Sequence, residues 1–124
     1  MSYLLVFLGG GLGAALRHGI NIGTPRLLGS GFPWSTFLIN VTGSLVMGLL
    51  AGWLAFKGDA SQSWRLFLTT GILGGYTTFS TFSLDVAVLY ERGDIALAAA
   101  YGIGSVVLSV AGLFAGLWLV RSLV

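Results

Sequence analysis

The sequence predicts an all-α membrane protein with four transmembrane helices per subunit, and three observations carry that prediction. Of 124 residues, 56% are hydrophobic and 8% are charged, whereas an ordinary soluble domain is about a quarter charged. The mean hydropathy is +0.93. The scattered charges leave four apolar stretches, each near the roughly 20 residues that a helix needs to cross a bilayer. Spans at about 2–20, 33–57, 65–90 and 95–121 take up nearly the whole chain, so residues 1–124 read as one integral-membrane domain. Disorder is excluded, because its signature of low hydrophobicity and high charge is reversed. Six Lys and Arg placed singly make no basic stripe, so no nucleic-acid partner is expected. With no cysteine, thiol and disulfide chemistry are absent.

The first stretch, Met1–Leu16, has no Lys or Arg before it and Arg17 after it, which is the wrong charge order for a cleavable signal peptide. Gly9-Gly10-Gly11-Leu12-Gly13-Ala14 matches the G-x-G-x-x-A of dinucleotide sites. It lies inside an apolar span, with no acid near twenty residues on, so helix packing explains it better. His18 is single and beside Arg17, at the expected membrane surface, and makes neither a metal site nor a triad.

The second stretch carries Asn40, four residues before Ser44 and eight before Gly48. A buried amide must find partners, so Asn40 is either interhelical glue or a donor lining a pore. Spacing alone leaves both readings open.

The third stretch is the informative one. Gly74 and Gly75 are followed by Tyr76 and then by five hydroxyls in seven residues, Thr77, Thr78, Ser80, Thr81 and Ser83. Hydroxyls in a membrane helix can bond back to the preceding turn, but five so close together call for protein or water to face them. The glycine pair invites a break near the middle of this helix, and non-helical backbone at membrane depth survives only where it is buried or lines a cavity. Phe79 and Phe82 share one side of a helical segment. Their ring edges could solvate a small anion, or the pair could serve packing alone. Asp85 is the only acid placed at membrane depth, which makes it either a functional group or a paired residue near the end of the span.

The fourth stretch, Ile95–Val120, completes a pattern of small-xxx-small pairs: Gly9 with Gly13, Gly48 with Gly52, Gly71 with Gly75, and Gly112 with Gly116. Small residues let helix backbones approach closely in lipid, so a tight bundle and an oligomer are expected. Loop charges balance three against three: Lys57, Arg65 and Arg121 on one side, Arg17, Arg26 and Arg92 on the other. With no bias to orient it, the chain is expected to insert both ways and to pair with an inverted copy of itself, an antiparallel dual-topology homodimer.

The assembled residues resemble the Fluc fluoride channels, also called the CrcB family, over essentially the full length. GGGLGAALRH from Gly9 to His18 is similar to the family's GG-x-x-GA-x-x-R-Y, with His18 in place of a common tyrosine. Asn40-Val41-Thr42-Gly43-Ser44 is similar to its N-x-x-G-S/T. GGYTTFSTFSLD from Gly74 to Asp85 is similar to its G-G-x-T-T-F-S-T-F-S-x-E, with Asp85 where Glu is usual. The resemblance implies a channel, not an enzyme, with two fluoride pores in an antiparallel homodimer. It also implies a central structural sodium ion and passive fluoride export across the cell membrane of a prokaryote, giving fluoride resistance. It maps pore residues onto Asn40, Phe79, Phe82, Ser80 and Thr81, with Tyr101 and Ser105 in the fourth span. Sodium maps onto backbone carbonyls of Gly74 and Thr77 from both chains. Arg17 either draws anions to a pore mouth or snorkels to the surface. The alternative is a small dual-topology multidrug/proton antiporter, which needs an acid in its first span; here that span has none.

Overall fold

The structure, a computed structural model, describes residues 1–57 and 62–123. The connection expected at Gly58–Ser63 lies partly outside them. The described residues run through α1 (Ser2–Leu28), α2 (Trp34–Lys57), α3 (Gln62–Arg65), a π-helical stretch (Leu66–Leu73), α4 (Gly74–Tyr76), α5 (Ser80–Glu91) and α6 (Ile95–Leu123). Among the described residues, four helical runs are long and apolar enough to cross a membrane: α1, α2, the composite run Gln62–Glu91, and α6.

The first helix continues through residues that the charge pattern assigns to a connection. Pro25 sits in the last turn, where it leaves the Asn21 carbonyl without its helical donor, and the Gly29 amide reaches the Pro25 carbonyl at 2.9 Å. Thr24 is buried against the bundle, and the helix stops at Gly29, whose φ of +82° suits glycine. A short turn joins α5 to α6. Gly93, at φ +88°, lets the chain reverse, and the Asp94 amide closes onto the Leu89 carbonyl at 3.0 Å.

The glycine pairs settle which helices meet. On α1, a Cβ at Gly13 would collide with the Ile72 carbonyl and lie 2.8 Å from the Tyr76 nitrogen, and one at Gly9 would lie 2.9 Å from the Gly71 Cα. A Cβ at Gly75 would collide with the Gly10 carbonyl. On the other side of the subunit, Gly48 abuts the Leu113 backbone and Gly116 the Leu45 and Leu49 backbone. So α1 packs on the π-helical stretch and α4, while α2 packs on α6, each through opposed small residues. Few side chains are fully enclosed. Ile39, Leu54 and Tyr101 are the largest, and many large apolar residues face outward, as befits a surface met by lipid or by another chain.

Candidate functional site

Helical hydrogen bonding lapses between α4 and α5, and side chains take over. Thr77 is extended, at φ −80° and ψ 158°, and its amide and hydroxyl both reach the Leu73 carbonyl, at 3.0 and 2.9 Å. The Thr78 amide donates to Asn40 Oδ1 at 2.9 Å, and Asn40 Nδ2 donates to the Thr78 carbonyl at 2.9 Å. The carboxamide of α2 thus imitates a peptide group and holds both main-chain polar atoms of Thr78. Thr78 Oγ1 accepts the Thr81 amide at 3.2 Å, at the start of α5, and stands 3.4 Å from Ser80 Oγ. Arg17 Nε donates to the Gly75 carbonyl at 3.2 Å. Each substitution satisfies a group that a continuous helix would pair internally.

Main-chain carbonyls, those of Gly74 and Thr77 among them, are left outside this exchange. In a continuous helix Gly74 would receive the Thr78 amide and Thr77 the Thr81 amide, but those donors go to Asn40 and to Thr78 Oγ1. Among the described residues no group of three or more His, Cys, Asp and Glu could hold a metal ion. Main-chain oxygens such as these are hard ligands.

Beside the interruption lies a groove of about 530 Å³. Asn40, Gly43 and Ser44 of α2 line one wall; Gly74, Thr77, Thr78, Phe79 and Phe82 line the next; Ser105 and Ser109 of α6 close the third. Phe79 is 75% exposed, with its ring centroid 5.5 Å from that of Phe82 at a tilt of 46°. The Ser105 and Ser109 hydroxyls, one helical turn apart, are buried and make no hydrogen bond. Asn40 has a second N–H beyond the one given to Thr78. No lining side chain carries a full charge. Such a set of hydroxyl, amide and ring-edge donors can solvate a small anion without trapping it.

Six of the expected site residues, Asn40, Gly74, Thr77, Phe79, Phe82 and Ser105, meet in this groove. The other four do not line it. Ser80 is exposed beside Thr78, Thr81 is half-buried, and Arg17 is spent on the Gly75 carbonyl. Tyr101 is fully buried behind Phe82, with centroids 5.2 Å apart, and its hydroxyl donates to Asp85 Oδ2 at 3.0 Å. Of the two readings of Asn40, the glue is realised, and its free N–H leaves the donor reading standing. Sequence reasoning missed Ser109, and it noted Ser44 and Thr78 in their motifs without assigning them to the site. The i, i+4 pair of Ser105 and Ser109 on an otherwise apolar helix was the available signal for the first.

Residues 4–117 match the family described as CrcB-like protein, Camphor Resistance (CrcB). The chain is 69% identical to the "Fluoride-specific ion channel FluC 2" of Nitrobacter hamburgensis, over 99% of each chain. It is 68% identical to the "Fluoride-specific ion channel FluC" of Rhodopseudomonas palustris strain BisB5, again over 99% of each. A further relative of that name, from Methylobacterium nodulans, is 58% identical over 98% of this chain and 97% of its own. With motif, interruption and full-length similarity in agreement, the chain belongs to the CrcB family, whose relatives here are ion channels rather than enzymes.

Proposed function

We propose that the chain is a subunit of a fluoride channel through which cytoplasmic fluoride leaves the cell passively, down its own gradient. The observation that carries this reading is the donor set of the groove: the unpartnered hydroxyls of Ser105 and Ser109, the spare amide proton of Asn40, and the rings of Phe79 and Phe82. Fluoride is small and strongly hydrated. A pathway for it must replace water's hydrogens with other donors and still release the ion, and partial charges meet both demands. Relatives named as fluoride-specific channels support the choice of ion. In this reading Ser80 and Thr81 follow Phe79 at the start of α5, and Tyr101 backs Phe82 rather than binding the ion through its hydroxyl.

The working unit is a homodimer of inverted subunits in the bacterial cell membrane, with two pores. The even division of loop charges supports it, as does the outward exposure of Gly74 and Phe79, which a second copy would cover. The interruption at residues 77–79 is then the break of the third span. The Gly74 and Thr77 carbonyls, relieved of their helical donors, fit a shared sodium ion in chemistry and charge. A bound sodium would tie the interrupted spans together. Arg17, by neutralising the Gly75 carbonyl, helps keep the segment out of a regular helix.

Purified protein in liposomes loaded with fluoride tests the reading. Efflux measured with an electrode is expected for fluoride and not for chloride; protein-free and protein-containing liposomes that release fluoride equally would refute it.

A further inference from the structure

The single turn α4 has one side chain with which to hold itself, because Gly74 and Gly75 carry none. That side chain is Tyr76, and it reaches across to α2. Its hydroxyl oxygen lies 2.9 Å from Thr42 Oγ1. Thr42 spends its own proton on the Leu38 carbonyl one turn back, at 2.6 Å, so Tyr76 is the donor and Thr42 the acceptor. Gly43 makes room for the contact: a Cβ there would collide with the Thr77 methyl and lie 3.1 Å from the Tyr76 ring. The next residue along, Thr78, has its main chain clasped by Asn40 through two bonds of 2.9 Å. Three consecutive residues, Tyr76, Thr77 and Thr78, are thus laid against Thr42, Gly43 and Asn40 of α2, with a fastening on either side of Thr77.

We infer that Tyr76 and Thr42 are positioning residues: their hydroxyl contact clamps the near side of the interruption to α2 as Asn40 clamps the far side, and the two fastenings together keep the Thr77 carbonyl out of the helical ladder and available to a sodium ion. This rests on the reading of the Gly74 and Thr77 carbonyls as a sodium site. The direction of the Thr77 carbonyl follows from its ψ of 158°, against about −42° in a helix, a turn of about 160°. Were α4 free to shift, Thr77 would fall back toward helical ψ and its carbonyl would recover the Thr81 amide as donor. The hold of a carbonyl on a cation depends on where its dipole points, so a small rotation costs ion affinity before it costs the fold. Both residues stand at places that the family patterns leave open, the first x of G-G-x-T-T-F-S-T-F-S-x-E and the second x of N-x-x-G-S/T, so the clamp is a feature of this chain rather than of the motifs themselves.

Tyr76→Phe, Thr42→Val, Thr42→Ser and the double variant Tyr76→Phe/Thr42→Val test the clamp in the assembled protein. One readout is the sodium concentration at which purified protein is half-saturated with radioactive sodium. It is expected to rise about fivefold in Tyr76→Phe and in Thr42→Val, the scale of one lost neutral hydrogen bond. The double variant should also shift by about fivefold, not by about twenty-five-fold, because both changes cut the same link. Thr42→Ser keeps the accepting oxygen and should stay within about twofold of wild type. Fluoride efflux lost in the single variants should return when sodium is raised, a rescue that a general loss of packing would not give. The other readout is NMR of threonine labelled at its carbonyl carbon and amide nitrogen, which picks out two peptide bonds, Thr69–Thr70 and Thr77–Thr78. In both single variants the Thr77–Thr78 signal is expected to move while the Thr69–Thr70 signal stays. An unchanged sodium midpoint or an unmoved Thr77–Thr78 signal in both single variants, a multiplicative double loss, or a serine variant as impaired as the valine one would overturn the proposal. Tyr76→Phe removes one oxygen only and keeps the test decisive if Thr42→Val does not fold. Wild-type protein that binds no sodium would refute the underlying cation site, whereas sodium bound equally by wild type and single variants would refute the clamp alone.

Discussion

Asn40→Asp isolates the donor role of one side chain at almost constant shape. In the wild type Nδ2 lies 2.9 Å from the Thr78 carbonyl oxygen. An ionised carboxylate puts an acceptor there, so a hydrogen bond becomes a contact between two oxygens, while the bond from the Thr78 amide to Oδ1 survives. Losing the bond and leaving a part-buried carbonyl unpaired costs about 1–3 kcal/mol at the interruption. The effect on the ion is larger. A carboxylate about 4 Å from fluoride repels it by roughly 4 kcal/mol at an effective dielectric of about 20, on the order of a thousandfold in occupancy. Electrostatics therefore dominates, and flux should fall far more than stability. Acidification that protonates the carboxyl removes the repulsion and restores one donor, so flux should rise again as pH falls. Liposome efflux across pH, with size-exclusion chromatography to check the assembly and infrared spectroscopy to read the carboxylate, separates the contributions. Wild-type flux at neutral pH with the carboxylate ionised would remove Asn40 from the ion path and leave it only as the clasp on Thr78. A loss that acid does not reverse would remove the electrostatic argument.

Further outcomes follow from packing, topology and the main-chain oxygens. Gly13→Ala forces a methyl into the Ile72 and Tyr76 backbone and should lower the thermal midpoint in detergent, at an overpacking cost of about 1–3 kcal/mol, whereas Gly11→Ala, which meets nothing within 4 Å, should not; equal midpoints would refute the packing of α1 on the third span. Reporters fused to the C-terminus should appear on both membrane faces in comparable amounts, and a single location would refute dual insertion. Prolonged dialysis against a larger monovalent cation should reduce fluoride flux, and sodium should restore it. Unchanged flux from protein shown by elemental analysis to hold no sodium would exclude the carbonyl site.

The class of the protein was legible from residue counts alone, because the cost of placing charge in hydrocarbon is paid residue by residue and adds along the chain. Four spans and the crowding of hydroxyls after Gly74 and Gly75 are local properties of this kind. The extension of α1 to Leu28 was not: the helix runs on past Arg17 and through Thr24, whose burial no local pattern announces. Likewise the small pairs marked faces for close approach but not which faces meet.

The site divides in the same way. Hydroxyl, amide and aromatic candidates stood out in the sequence because each is costly or unusual in an apolar span. Their partners did not. Asn40 meets Thr78 from 38 residues away, and Tyr101 turns its hydroxyl to Asp85 across 16. Ser109 matters because it lines the groove and its buried hydroxyl has no partner. A helix turns about 100° per residue, so a small change in rotation or crossing angle sends a side chain into the groove, into a neighbouring helix or into lipid. The sequence by itself determined which groups need partners within the membrane. Only the packing of backbone against backbone at Gly9, Gly13, Gly48 and Gly116 set the rotation of each helix, and with it which of those groups pair and which remain to meet an ion.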